Sequence, residues 1–156
     1  MSSNIKASTI KHWPKVFSFD DWPKGSLLYM SESIIHSVFK LRNKSLIPMW
    51  PSHLFGAHVR HEGNSRHSTK NKTRLSDATD MHVSTIENMI RVMAVAESLP
   101  CIGGIGIYFD TNTPMIHIDN RMQRLLWLRT SNGEYVYREN DYVKFYQVLA
   151  EEIAKA

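Results

Sequence analysis

The sequence holds a single cysteine, Cys101, in 156 residues. No disulfide can close within the chain, and a sulfur-based structural zinc site would lack its ligands. Such usage reads as a protein made in a reducing cytosol. Nowhere does an apolar run approach the roughly 18 residues that argue for a membrane span. The N-terminal stretch MSSNIKASTIKHWPKVF also lacks the continuous apolar segment of a secretory signal. No repeat, low-complexity tract or Pro/Gly/Ser linker divides the chain. One domain covering residues 1–156 is therefore expected.

What is present is enough for a core, with 42% hydrophobic residues. Nineteen Lys and Arg against fifteen Asp and Glu leave a formal charge of +4. That excess attracts polyanions, among them nucleic acid, anionic membrane surfaces and bacterial wall polymers, and by itself does not choose between them.

Apolar spacing predicts a helix over about Ser31 to Asn43 and a short strand from Leu46 to Trp50, with another extended piece from Phe55 to Arg60. The polar stretch His61 to Ser76 reads as a long loop, a kind of segment that tends to be functional or mobile. Ser84-Thr85-Ile86-Glu87 has the form of a capping box opening a second helix that ends near Leu99. Three apolar runs follow, Ile105 to Phe109, Met115 to Asp119 and Leu125 to Arg129, expected as neighbouring antiparallel strands. A hairpin signal stands at Ser131-Asn132-Gly133, and a last helix is expected from about Asn140 to Ala154. This order predicts an α+β fold, an antiparallel sheet with flanking helices.

Eight histidines invite a search for metal ligands. In Met115-Ile116-His117-Ile118-Asp119, strand alternation puts His117 and Asp119 on one face and the isoleucines on the other. If Ala78 to Val83 is a strand, Ala78, Asp80 and His82 likewise share a face. With His67, in Ser65-Arg66-His67, a further candidate, a carboxylate and two imidazoles drawn from separate strands would make three ligands and leave a fourth position open. By spacing alone, hydrogen-bonded core or surface histidines fit equally well.

Ser65-x-His67, then Ser76-Asp77-Ala78-Thr79-Asp80-Met81, then Gly103-Gly104-Ile105-Gly106-Ile107-Tyr108, then Ile116-His117-Ile118-Asp119 with Trp127 beyond, resembles the zinc peptidases that comprise D-Ala-D-Ala carboxypeptidases and phage L-alanyl-D-glutamate endolysins. The resemblance spans roughly Gly56 to Trp127. It implies the α+β fold shared with the hedgehog signalling domain, and a Zn2+ ion held by His67, Asp80 and His117. It also implies that Ser65 steadies the first ligand and that Arg60 binds a substrate carboxylate or the developing oxyanion. The substrate it implies is the peptide stem of bacterial peptidoglycan; a monomer is expected, with neither nucleic acid nor a membrane as partner. Such a protein would be made in the host cytoplasm and would reach the wall only after release.

Two departures from the family pattern stand out. Twelve residues separate His67 from Asp80, more than the family's usual spacing, and the added ones include Lys70, Lys72 and Arg74. The glycine expected before Ala78 is Asp77. Where many members carry a glutamate as general base, three residues before the last histidine, this chain has Pro114. Asp119 is then either the base or a carboxylate that orients an imidazole, with His61, His82 and Asp77 as further candidates for the base. Other readings are a non-catalytic phage structural or binding protein that keeps the metal, and a nucleic-acid binder using the basic run His61 to Arg74. Met89 to Met93 reads as helix core packing, Gly103-Gly104-Ile105-Gly106 lacks the helix of a dinucleotide loop, and Cys101 reads as a small buried hydrophobe.

Overall fold

Side-chain alternation along the strands separates a greasy face from a chemical one. Strand β2 (Ala78–Val83) pairs antiparallel with β4 (Met115–Asp119), placing Asp80 opposite His117 and Met81 opposite Ile116. On the other side of β4 lies β3 (Gly104–Tyr108), with Gly106 opposite His117. Beyond it β5 (Leu125–Arg129) sets Trp127 beside Gly106. The short strands β1 (Met49–Pro51) and β6 (Tyr135–Tyr137) form the two edges, giving the order β1-β2-β4-β3-β5-β6. This computed structural model describes residues 5–156; the first four residues of the N-terminal stretch considered above lie outside the described part.

The greasy face carries Met81, Ile105, Ile107, Ile116, Ile118 and Leu128, all fully buried. Three helices, α1 (Glu32–Ser45), α2 (Ile86–Glu97) and α3 (Tyr142–Lys155), bury Ile34, Ile35, Val38, Met89, Val92 and Phe145 in the same core. Each such side chain contributes roughly 1.5–3 kcal/mol. A one-residue slip of β2 against β4 would turn Met81 and Val83 outward and drive Asp80 into the core, so packing on one face fixes the register of the other.

The α+β expectation holds, but the sheet is mixed rather than antiparallel, because β3 and β5 run parallel. Alternation reports which face a residue occupies and is blind to the direction of its neighbour. Several boundaries also differ. Helix α1 continues to Ser45 and ends where Leu46 adopts left-handed backbone with φ 58°, which delays β1 to Met49. The expected extended piece from Phe55 becomes a 3-10 turn over Phe55–Ala57. Thr85, not Ser84, caps α2 by accepting from the Asn88 N–H at 3.1 Å, while Glu87 pairs with Arg91 at 2.6 Å. The hairpin at Ser131-Asn132-Gly133 forms, with Gly133 at φ 84° where a side chain would be strained. Met89 and Met93 pack in the core as expected, whereas Cys101 is only half-buried. Among the described residues no helix is long and apolar enough to cross a membrane.

Candidate metal centre

On the chemical face of the sheet, Asp80 from β2 and His117 from β4 sit side by side, and the loop before β2 delivers His67 above them. His117 Nδ1 lies 2.9 Å from Asp80 Oδ1 and 3.0 Å from His67 Nε2, and His67 Nε2 lies 3.5 Å from Asp80 Oδ1. All three residues are buried, and the three atoms could hold a metal ion. A tetrahedral metal with bonds of about 2.0–2.1 Å sets its ligand atoms about 3.3 Å apart. The observed triangle has that size. Its chemistry also suits a cation, because three lone-pair atoms converge and a single proton on one imidazole serves them poorly.

The second nitrogen of His117 is equally committed. Nε2 lies 3.0 Å from Asp119 Oδ2, so a proton kept there is donated to the carboxylate and Nδ1 is left with its lone pair toward the triad. Asp119 is in turn clamped. Its Oδ1 accepts from the backbone N–H of Gly104 at 3.0 Å and of Arg121 at 3.0 Å, and the Arg121 guanidinium donates to both oxygens, at 2.8 Å from Nε to Oδ1 and 2.6 Å from Nη2 to Oδ2. The same guanidinium lies over the Trp127 ring at 5.3 Å. Strand β3 makes room for this arrangement by placing glycines at 104 and 106 on the chemical face, ahead of Tyr108: a Cβ on Gly104 would strike the Asp119 carboxylate, and one on Gly106 would strike the Trp127 indole.

Electrostatics follow the contacts. Burial raises the Asp80 carboxyl, but hydrogen bonds from His117 and His67 outweigh it and hold the group well below the usual carboxylate range. Burial likewise opposes charge on His117, yet its bonds to Asp119 and Asp80 raise the metal-free ring to about 9. At Asp119 burial is again overcome, by His117 and Arg121, and the carboxyl stays ionised far below its ordinary range.

A cavity of about 320 Å3 opens over the triad, walled by Arg60, Arg66, Tyr108, Arg121, Trp127 and Tyr137. Asp80 is the one carboxylate in its lining. Arg60 is exposed and anchored only through Nε to the Gly56 carbonyl at 2.9 Å. By contrast Arg66 is paired with Asp77 at 3.1 Å and Arg129 with Asp110 at 3.1 Å. Of the further candidates for a base, His61 packs edge-on against Tyr29 with Nδ1 at the Thr69 hydroxyl, and Asp77 serves Arg66, its pKa raised by burial against that partner. His82 faces a neighbouring cavity, where Nδ1 lies 3.2 Å from the Thr113 carbonyl.

The structure corrects the expectation for Ser65. Its Oγ and His67 Nδ1 are both buried without a hydrogen-bond partner, so the serine does not hold the ring. The loop backbone positions His67 instead: the Arg60 N–H donates to the His67 carbonyl at 2.9 Å, and Arg74 donates to the carbonyls of Ser68 at 2.7 Å and Ser65 at 2.8 Å. One cation of the basic insertion is thus a strut of the loop, a role that its polar sequence does not announce. Arg121 was also missed, because it lies past the end of β4 where alternation gives no direction.

His58 anchors the segment carrying Arg60. Fully buried, it donates from Nε2 to the Ser52 carbonyl at 2.6 Å and accepts at Nδ1 from the Thr79 hydroxyl at 2.7 Å. Burial lowers its pKa from 6.5 to about 4. A ring that titrates lower folded than unfolded stabilises the protein fully above about pH 6.5, and that contribution drains away as pH falls toward 4. Between pH 7 and pH 5 the loss is about 2 kcal/mol. Urea unfolding of chelator-treated protein should show it for wild type and not for His58→Gln; equal losses in both would assign the acid sensitivity elsewhere.

No family model, curated protein or solved structure matches the chain. What the site can do therefore rests on its own geometry.

Proposed function

We propose that this protein is a zinc-dependent peptidase acting on the peptide stem of bacterial peptidoglycan, with the fold of the hedgehog and D-Ala-D-Ala peptidase group. The observation that carries the reading is the triangle of His67 Nε2, Asp80 Oδ1 and His117 Nδ1 beneath an open cavity. Two imidazoles and one carboxylate with an open side are the donor set of hydrolytic zinc. When bound, zinc supplies Lewis acidity, which activates water near neutral pH and polarises a carbonyl.

The protein's own residues divide the remaining work. Arg60, free of any carboxylate partner and standing at the cavity rim, binds an anionic group of the substrate or the developing oxyanion. Asp119 fixes the tautomer of His117 and does not act as the base: it lies on the far side of the ring from the triad, is fully buried, and stays ionised well below neutral pH. Tyr108, whose phenol burial pushes well above its ordinary range, remains a proton donor at the wall of the cavity. Wall affinity comes from the net positive charge of the chain, which acts as a monomer after release from the cytoplasm.

A second reading is supported by one observation. With Pro114 where a glutamate would stand and no carboxylate but Asp80 lining the cavity, a metal-holding, non-catalytic virion or binding protein also fits. Purified walls separate the two. The first reading expects soluble stem peptides to be released, the release to stop after chelation, and zinc to restore it. Bound zinc with no release from walls of several bacterial types would favour the second.

A further inference from the structure

The cavity above the triad does not end at Arg60. There it meets a larger one, of about 720 Å3, and the two share Arg60, Asp80 and Met115. Their linings differ in character. The smaller is a nest of arginines and tyrosines suited to an anionic or peptide group. The larger is walled by Trp50, Leu54, His82, Thr111, Asn112 and Thr113, and away from the shared rim it contains no carboxylate, lysine or arginine.

Trp50 is the feature that calls for a ligand. It sits on the edge strand β1 opposite His82 in register, on the same sheet face as Asp80 and His117. The residue is 43% exposed, although it lines a cavity and its neighbours Met49 and Pro51 are buried. The His82 imidazole backs it at 6.4 Å between centroids, with 31° between planes. A flat indole presents a negative π-face to weakly positive C–H groups. On the Thr111–Thr113 turn that lines the same cavity, the exposed Asn112 amide supplies donors and acceptors for a ring of hydroxyls, while the Thr111 hydroxyl, which donates to the Thr113 carbonyl at 2.8 Å, can still accept. An aromatic platform with a neutral polar rim fits a saccharide ring better than an apolar side chain, which would cover the Asn112 amide without pairing it.

We propose that the larger cavity is a saccharide subsite stacked on Trp50, so that the substrate of the adjoining metal centre is a peptide still joined to its sugar. The substrate assignment rests on the peptidase reading above; the saccharide subsite does not. Among the described residues the Trp50 side chain makes no hydrogen bond or ion pair with the triad, so the two parts can be tested separately.

The probe for the subsite is an N-acetylglucosamine oligosaccharide, titrated into full-length protein while the indole N–H signals are followed by NMR. Trp50 is assigned by the signal missing from Trp50→Phe. Its signal is expected to move on titration; Trp50→Phe, which keeps a π-face, should keep most of the affinity, and Trp50→Ala should lose about tenfold, the size of one aromatic stacking contact. On the catalytic side, a sugar-bearing stem peptide should show a KM raised about tenfold in Trp50→Ala with kcat unchanged. The matching sugar-free peptide should be unaffected, and zinc content should equal wild type. Saccharide binding without hydrolysis of either peptide would support the subsite while removing the peptidase reading. An unmoved Trp50 signal, or equal losses on both peptides, would overturn the proposal and leave an apolar peptide side chain as the occupant.

Discussion

His117→Ala should lose its metal. Apparent binding energies of about 10–16 kcal/mol for four-ligand structural zinc give about 3 kcal/mol or more per ligand, so affinity should fall on the order of a hundredfold to a thousandfold. Hydrolysis should fall with it. The variant also removes the imidazolium that lies between Asp80 and Asp119 in the metal-free protein, and a buried carboxylate stripped of its partner costs about 3–5 kcal/mol. His67→Ala is the cleaner companion, because the remaining contact from His117 to Asp80 is kept and His67 Nδ1 has no partner to lose. Competition with a fluorescent zinc chelator measures both variants, beside a thermal melt for folding. If either binds zinc as tightly as wild type while folded, the triangle is not the metal site.

Asp119→Asn should weaken zinc binding about 10–100-fold, the usual effect of removing a carboxylate that orients a ligating imidazole. An amide offers Nε2 of His117 an N–H instead of an acceptor, which favours the tautomer protonated at Nδ1 and takes away the lone pair that faces Asp80 and His67. The substitution also leaves the Arg121 guanidinium without the carboxylate that both its Nε and Nη2 engage. A base and an orienting group predict opposite patterns. With the orienting role, excess zinc restores much of the turnover; with a base, zinc affinity stays at the wild-type level and turnover is lost however much zinc is added. The second outcome would return Asp119 to the role of base that the sequence left open.

How far these features could be read from the sequence depends on what alternation encodes. Strands Ala78–Val83 and Met115–Asp119 are legible because each alternates between apolar and chemistry-bearing residues, which groups Asp80 with His82 and His117 with Asp119; the pairing of β2 with β4 then sets Asp80 opposite His117. His67 lies outside any strand, so alternation gives its side chain no direction and the resemblance to a known peptidase family made it the first ligand; the loop brings it to the same triangle. The parallel pairing of β3 with β5 was not legible, because both strands are apolar on the core face whichever way they run. Nor was the division of the long loop into a strut, Arg74, and an exposed tip, where Lys70, Asn71 and Lys72 take left-handed backbone at φ 45°, 55° and 69°. Local polarity could not distinguish them, since the carbonyls that Arg74 caps belong to residues up to nine positions away. The glycines of β3 were seen as a motif, and their purpose emerged only with neighbours: they are bare so that Asp119 and Trp127 can lie across them.

All three α-helices pack on the face of the sheet opposite the triad, and α3 ends at Lys155. A tether joined at the end of α3 would therefore leave from the back of the protein. Immobilised that way on a bead or sensor chip, the molecule would present its cleft to the solution, and a bulky insoluble polymer could approach without being shielded by the support.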